Sequence, residues 1–61
     1  MIDVKKLRSE LGINQSELAR LSGLTRATIF NIENDRHAIT VESAKKLSAV
    51  LGVNWSDFFE D

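Results

Sequence analysis

Three kinds of residue are missing from this chain, whose 61 positions include no cysteine, no proline and no tyrosine. Without cysteine, neither a disulfide nor a thiolate metal site can stabilise the fold, and a cytosolic setting fits that absence. No apolar run approaches the roughly 18 residues of a membrane span, and the first residues show no signal-peptide pattern. We therefore expect a soluble, cytoplasmic protein without a membrane partner, built as a single domain over residues 1–61.

A basic excess is also missing, because eight lysines and arginines are set against nine aspartates and glutamates. DNA-binding domains are usually basic, so the net charge of −1 argues mildly against nucleic acid. The distribution partly offsets this argument, since Asp57, Glu60 and Asp61 all lie close to the C-terminus. The arginines lie in the first two thirds of the chain, at Arg8, Arg20, Arg26 and Arg36.

Patterns typical of catalysis and of metal binding are absent from the sequence as well. It contains no carboxylate pair, no metal-spaced cluster and no combination of nucleophile and base. The single histidine, His37, lies in the polar stretch NDRHA. A lone histidine there is more often solvated or near a phosphate than a ligand or base. We expect no enzymatic activity, no cofactor and no metal.

What the sequence does contain is helical spacing of apolar residues between clear start and stop signals. Five predicted helices each follow a capping residue, namely Asp3, Asn14, Thr25, Thr40 and Asn54. Glycines end the first, second and fourth helices, at Gly12, Gly23 and Gly52. The sequence therefore predicts an all-α fold, a compact five-helix domain.

Finer details follow from the same pattern. Glu17 and Asp57 each lie three residues after a capping asparagine, at the spacing of a capping box. The apolar stripes predicted to face the core are Val4, Leu7 and Leu11 on the first helix and Val41, Ala44, Leu47 and Leu51 on the fourth.

The second and third helices are separated only by the tetrapeptide SGLT. Such a short link forces two helices to cross at a steep angle, which is a helix-turn-helix arrangement. Ala19 is small where the two helices must approach, and Gly23 can adopt the left-handed backbone that the turn needs. Ile29 and Ile32 lie three positions apart, so they can dock the third helix on the core.

The stretch NQSELARLSGLTRATI, followed by IEN, resembles the phage repressor and Cro-type helix-turn-helix family. The resemblance covers nearly the whole chain, as far as TVESAKKLSAVLGV. It implies a lambda-repressor-like fold of five helices whose third helix, residues 25–33, lies in the DNA major groove. Three positions depart from the family pattern, and each is expected to lower stability: Ser22 stands in place of an apolar residue, Ala44 in place of leucine and Asp35 in place of glycine. Any left-handed conformation near that last position would fall on Asn34 or Asp35.

The third helix has an outward face of mixed chemistry. At 100° per residue, Arg26, Ala27, Phe30 and Asn31 fall within an arc of roughly 140°, opposite the two isoleucines. In a major groove, arginine suits guanine, asparagine suits adenine, and Ala27 and Phe30 suit thymine methyl groups. The resemblance implies base contacts at Arg26, Ala27 and Asn31, whereas the family position that matches Phe30 is more variable. Alternatively, Arg26 and Asn31 are a solvated face, and Phe30 covers the core edge or touches a partner protein.

Phosphate contacts are expected on both sides of this helix. The start of the second helix offers free backbone N–H groups and a partial positive charge. The predicted phosphate-contacting residues are Asn14, Gln15, Ser16, Asn34 and Arg36. For Asn14, the capping role alone is an alternative. The resemblance further implies a structural ion pair between Arg8 and Glu33, with Arg8 also available to position phosphate.

Three aromatic residues, Trp55, Phe58 and Phe59, lie together near the C-terminus. Phe58 matches a core position of the family, which dimerises near this end so that two recognition helices lie about 34–36 Å apart. Trp55 and Phe59 are therefore candidate dimer contacts, with coverage of the core as an equal alternative.

The sequence thus predicts a sequence-specific DNA-binding transcriptional regulator, repressor-like, that acts as a dimer on a palindromic operator in double-stranded DNA. The alternative is a protein-interaction module, or an antitoxin-type regulator, that uses the same fold to bind a partner protein. A linked effector domain is a further possible partner.

Overall fold

The computed structural model describes residues 2–59, apart from the side chain of Arg36, and the regular secondary structure of this part is all helical. Its four α-helices are α1 Val4–Glu10, α2 Gln15–Ser22, α3 Arg26–Asn34 and α4 Val41–Leu51. Two 3₁₀ helices, Arg36–Ala38 and Trp55–Phe59, follow α3 and α4, and no strand occurs within residues 2–59. None of these helices is long and apolar enough to cross a membrane. The all-α prediction is confirmed.

The number of helices differs from the prediction, because the segment expected to form a fifth α-helix is a five-residue 3₁₀ helix. The N–H of Asp57 donates to the Asn54 carbonyl three residues back, at 3.0 Å. The Asn54 side chain accepts instead from the N–H of Ser56, at 3.1 Å, so the expected capping box with Asp57 is not formed. So short a segment gains too few i→i+4 hydrogen bonds to offset α-helix nucleation.

The predicted N-caps of the four α-helices are all present. Asp3, Thr25 and Thr40 each accept a hydrogen bond at 3.1 Å from the backbone N–H three residues further on. Asn14 Oδ1 accepts from the Glu17 N–H at 2.8 Å, and Glu17 Oε1 accepts from the Asn14 N–H at 3.1 Å. These bonds satisfy donors that a helix start otherwise leaves without partners. Local side chains therefore determine where each helix begins.

The turn between α2 and α3 is centred on Gly23, whose backbone is left-handed with φ of +76°. The N–H of Leu24 reaches back to the Ala19 carbonyl at 3.0 Å, as in a Schellman motif. Thr25 then caps α3, so only two residues separate the Gly23 turn from the next helix. The chain direction thus changes within three positions, and α3 packs directly against α2.

The end of α3 has no left-handed residue, so neither Asn34 nor Asp35 has to adopt that conformation. Asp35 is extended, with φ of −143°, and within residues 2–59 only glycines have a positive φ. The Asp35 side chain instead accepts the N–H of His37 at 2.9 Å and begins the first 3₁₀ helix. An aspartate suits this extended capping conformation, so the family's glycine is not required here.

One hydrophobic core joins the four α-helices and the C-terminal 3₁₀ helix. Leu18, Ile29 and Leu47 are its largest fully buried side chains. The other buried apolar residues among those described are Val4, Ala19, Ile32, Ile39, Ala44, Leu51 and Phe58. The core therefore draws on every α-helix and on the C-terminal 3₁₀ helix.

Two residues predicted to face the core are exposed instead. Leu11 is 53% exposed and Val41 is 47% exposed. Leu11 lies one position beyond the end of α1, and Val41 is the first residue of α4. Both lie at the end of a helix and outside the core, so the apolar spacing alone predicted them wrongly.

Ser22, which occupies a position commonly apolar in the family, is buried at the end of α2. Its hydroxyl donates to the Leu18 carbonyl at 2.7 Å, so the polar group is satisfied within its own helix. Among residues 2–59, no buried side-chain nitrogen or oxygen lacks a hydrogen-bond partner. A serine is thus accommodated here without an unpaired polar atom.

Candidate nucleic-acid interface

The two faces of α3 are chemically different, and the core determines which of them faces outward. Ile29 is fully buried and Ile32 is 6% exposed, so this side of the helix is docked. The side chains on the opposite side are exposed, namely Arg26, Ala27, Phe30 and Asn31. Phe30 is 54% exposed, so its ring does not fold over the core.

These four side chains do not stand alone. Together with Gln15, from the first turn of α2, they line one shallow open cleft. The turn at Gly23 brings the start of α2 beside the outer face of α3, although Gln15 and Arg26 are eleven positions apart in sequence. The structure therefore gathers the predicted base-contacting set and one predicted phosphate-contacting residue on a single surface.

A second, more polar cleft adjoins the first. It is lined by Arg8, Asn14, Gln15, Ser16 and Arg26, none of which carries a negative charge. The first intrahelical hydrogen bond of α2 is donated by Leu18 to Asn14, so the N–H groups of Gln15 and Ser16 precede it. Two guanidinium groups and the positive end of a helix therefore meet in this cleft.

A partly buried ion pair adjoins the polar cleft and links three helices. Arg8 Nε donates to Glu33 Oε2 at 2.7 Å, and the two side chains are 13% and 3% exposed. A second guanidinium nitrogen of Arg8 donates to the other Glu33 oxygen at 3.2 Å, and a third contact reaches the Ile13 carbonyl at 2.9 Å. Gln15 Nε2 also donates to Glu33 Oε1, at 3.1 Å. Glu33 thus accepts from α1 and α2 at once.

The protonation of this pair follows from its surroundings. Burial disfavours the ionised form of Glu33, but hydrogen bonds from Arg8 and Gln15 and the charges of Arg8 and Lys5 outweigh it. The pKa of Glu33 is therefore held below its ordinary value. The hydrogen bond to Glu33 raises the pKa of Arg8, against the opposing effect of desolvation. Both groups are ionised at neutral pH.

Several predicted phosphate-contacting side chains already make bonds within the protein. Asn14 caps α2, Gln15 donates to Glu33, and Asn34 Nδ2 donates to the Phe30 carbonyl at 2.7 Å. Ser16 is exposed at the start of α2. The side chain of Arg36 lies outside the described residues, as do Glu60 and Asp61.

The link between Gln15 and Glu33 was not predicted from the sequence. The two residues lie 18 positions apart, and no local spacing rule relates them. The same is true of Lys45, whose Nζ lies 5.1 Å from the centre of the Trp55 ring. A helix-by-helix pattern carries no signal for such contacts, because they depend on how separate elements pack.

The C-terminal aromatics divide into one core residue and two exposed residues. Phe58 is only 2% exposed, whereas Trp55 is 37% and Phe59 is 48% exposed. The Trp55 and Phe59 rings meet edge to face, with centroids 6.3 Å apart and planes at 72°. Trp55 and Phe59 therefore form an exposed aromatic pair at the end of the described chain.

Two helices joined at a left-handed glycine, with the second presenting a mixed polar and apolar outer face, define a helix-turn-helix protein. The sequence matches the helix-turn-helix family over residues 4–58. The chain belongs to the Cro/C1-type helix-turn-helix family.

Curated relatives carry regulator names. The chain is 34% identical over 58 residues to the HTH-type transcriptional regulator PuuR of Escherichia coli, covering 95% of this chain and 31% of that protein. It is 40% identical over 58 residues to the uncharacterized HTH-type transcriptional regulator YqaF of Bacillus subtilis, covering 95% of this chain and 76% of that protein. An uncharacterized HTH-type transcriptional regulator of Methanothermobacter thermautotrophicus is 37% identical over 49 residues, which is 80% of this chain and 71% of the relative.

The extent of these matches differs among the relatives. The chain spans about a third of the length of PuuR, 31%, and so corresponds to one part of that protein. No solved structure matches the chain significantly. Within residues 2–59, no group of three or more histidines and carboxylates is placed to hold a metal ion.

Proposed function

We propose that this chain is a sequence-specific DNA-binding transcriptional regulator of the repressor type, which places α3 in the major groove of double-stranded DNA. The observation that carries the proposal is the outer face of α3. Its side chains are held outward by the burial of Ile29 and Ile32, and they do not fold back onto the core. Membership of the helix-turn-helix family and the regulator names of the relatives support the same conclusion.

Each residue of the outer face has a matching group on a base edge. Arg26 makes no ion pair with any residue in the described part of the chain, so its guanidinium is available to guanine O6 and N7. Asn31 can pair with N6 and N7 of adenine. Ala27 and Phe30 supply the apolar contacts. Each well-formed pair is worth about 1–3 kcal/mol of discrimination against a wrong base.

Phosphate contacts hold this face in register. On one side of α3, the N–H groups of Gln15 and Ser16 would make these contacts, since both residues line the polar cleft. Asn34 and Arg36 lie at the other end of α3, where they would contact the opposite backbone. Asn14 combines its capping role with a place in the cleft. Such contacts supply affinity and orientation but no sequence information.

A dimer would bring two such surfaces to one operator. We assign Trp55 and Phe59 to the dimer contact, because both rings are large and exposed on a segment anchored by the buried Phe58. A two-fold interface contains each ring twice, because both subunits contribute the same patch. A dimer also doubles the phosphate contacts of a chain whose net charge is −1. Sedimentation equilibrium over a range of concentrations measures this association.

The function is tested by selecting binding sites from a randomised duplex DNA pool at low salt, with the wild type and with Arg26→Ala and Asn31→Ala. The wild type should enrich a palindrome with half-sites about one helical turn apart. Each variant should lose preference at its own base position, with a cost of about 1–3 kcal/mol.

Arg20→Ala is the matched control, because Arg20 is an exposed arginine on α2 that lines neither cleft. It removes the same charge and should leave the selected sequence unchanged. If Arg20→Ala and Arg26→Ala shift the selected sequence equally, direct readout by Arg26 is wrong. If no sequence enriches above non-specific binding, the conclusion changes to a module that binds a partner protein.

A further inference from the structure

Phe30 is a large apolar residue on the outer face of α3, and the fold does not bury it. Its neighbours Ile29 and Ile32 already dock α3, and the Phe30 ring stays 54% exposed on the opposite side. An exposed large apolar side chain costs free energy in water, of the order that burying it would recover. A contact that buries the ring would recover this free energy, and it would come from outside the described chain.

The residues around the ring indicate what kind of surface would contact it. Three of the four other residues lining the cleft can donate hydrogen bonds, namely Gln15, Arg26 and Asn31, and the fourth, Ala27, adds one methyl group. The remaining large exposed apolar residues of the described chain do not line this cleft: Leu11, Leu21, Val41, Trp55 and Phe59. A protein interface of ordinary size needs about 800 Å² on each side and an apolar centre. The cleft fits a polar surface that carries an isolated apolar group.

The major-groove edge of DNA is such a surface. The bases present hydrogen-bonding groups there, and the 5-methyl group of thymine is the apolar exception. A cytosine methylated at the same ring carbon places its methyl in the same groove. Arg26 and Phe30 are four positions apart, so they lie on one row of α3 with about 6 Å between them along the helix axis. Successive base pairs are about 3.4 Å apart along DNA, so the two contacts fall within about two base pairs.

The backbone that carries the ring is held in place. Asn34 Nδ2 donates to the Phe30 carbonyl at 2.7 Å, within the last turn of α3. Ile29 and Ile32 hold the backbone on either side of Phe30 against the core. The ring is therefore presented on a fixed stretch of helix, and little order is lost when it contacts a ligand.

We propose that Phe30 reads the 5-methyl group of one pyrimidine in each operator half-site, within about two base pairs of the guanine bound by Arg26. Thymine is the ordinary form of that pyrimidine. Cytosine at the same position is bound better when it is methylated, so binding responds to DNA methylation there. This inference rests on the proposed function, because it requires α3 in the major groove.

The test replaces the thymines of the selected operator with deoxyuridine one at a time, which removes only the methyl group. Wild-type affinity should fall about fourfold at one position per half-site, the value expected for one buried carbon. Phe30→Ala should bind thymine and deoxyuridine there equally well. A third duplex set with cytosine or 5-methylcytosine at that position should show the same preference for the methyl group in the wild type alone.

Leu21→Ala is the matched control, because Leu21 is 49% exposed and lies outside both clefts. It should keep the full response to deoxyuridine. Thermal unfolding of Phe30→Ala verifies that the variant is folded, as expected for an exposed position.

Three outcomes are decisive. A response to the methyl group that disappears in Phe30→Ala but persists in Leu21→Ala supports the inference. A wild type that ignores deoxyuridine at every position, while Arg26→Ala still alters base preference, overturns the inference and leaves the proposed function standing. A response that persists in Phe30→Ala and disappears in Ala27→Gly assigns the methyl contact to Ala27 and also overturns it.

Discussion

A single carboxylate, Glu33, joins the parts of this protein that the proposed function requires. It accepts from Arg8 of α1 at 2.7 Å and from Gln15 of α2 at 3.1 Å, while its own backbone belongs to α3. The side chain of Glu33 is only 3% exposed. Loss of its charge would leave the Arg8 guanidinium without a counter-ion in a shielded place, which costs more than the pair itself contributes.

We predict that Glu33→Gln lowers the free energy of unfolding at pH 7 by about 3 kcal/mol, the low end for breaking a buried pair, since Arg8 keeps some access to water. The pH dependence follows from the lowered pKa of Glu33 in the folded state. Its stabilisation is fully present above the unfolded-state pKa, about 4.3, and is lost as pH falls through the folded-state pKa. The difference between wild type and variant should therefore narrow on acidification. Urea unfolding at pH 7 and at about pH 3.5 measures both effects.

Glu42→Gln provides the comparison for this prediction. Glu42 pairs with Lys46 at 3.3 Å on the surface of α4, and its side chain is 80% exposed. Such a pair contributes at most a few tenths of a kcal/mol, so its loss should leave stability nearly unchanged. If Glu33→Gln also left the free energy of unfolding nearly unchanged, Glu33 would not stabilise the packing of the three helices.

At the scale of elements, the turn between α2 and α3 depends on one backbone conformation. Gly23 has φ of +76°, and a Cβ built there would meet no atom within 4 Å. A substitution is therefore penalised by the left-handed backbone itself and not by a steric clash with a neighbour. For a residue with a Cβ this conformation costs about 1–2 kcal/mol.

We predict that Gly23→Ala lowers stability by about 1 kcal/mol and that Gly23→Asn lowers it less, because asparagine tolerates the left-handed region. Gly52 ends α4 with φ of +72° and equally open space, so Gly52→Ala should cost about the same. The free energies of unfolding of the three variants decide the point. A Gly23→Asn variant less stable than Gly23→Ala would contradict the conformational explanation.

At the scale of the whole molecule, adjacent phenylalanines have opposite roles. Phe58 is 2% exposed and completes the core beside α4, whereas Phe59 is 48% exposed and stacks edge to face on Trp55. A chain of this size has roughly 3–9 kcal/mol of stability in total. Truncation of one buried phenylalanine costs about 3–5 kcal/mol, which is a large share of that total.

We predict that Phe58→Ala is largely unfolded, whereas Phe59→Ala and Trp55→Ala remain folded and lose the ability to dimerise. Circular dichroism at low protein concentration reports folding without the contribution of association. Sedimentation equilibrium then reports the oligomeric state. If Phe59→Ala and Trp55→Ala both sediment like the wild type, the assignment of the dimer contact to this pair fails.

The sequence by itself determined where the four α-helices begin and how α2 and α3 are joined. The side chains of Asp3, Asn14, Thr25 and Thr40 accept hydrogen bonds from backbone N–H groups three residues away. Gly23 adopts the left-handed backbone of the turn without help from any distant residue. These interactions join residues that are at most one helical turn apart, so a short sequence motif is enough to predict them. The family motif, which spans the same turns, was recognisable for that reason.

Only the tertiary structure decided which apolar residues are buried and which polar groups meet. Leu11 and Val41 followed the helical spacing and still lie outside the core, at the ends of their helices. The hydrogen bond from Gln15 to Glu33 joins residues 18 positions apart. The exposure of Phe30 likewise depended on whether another element covers it. Burial and long-range hydrogen bonds depend on how whole helices pack against one another, and that packing is set by the sum of all core contacts and by no single local pattern.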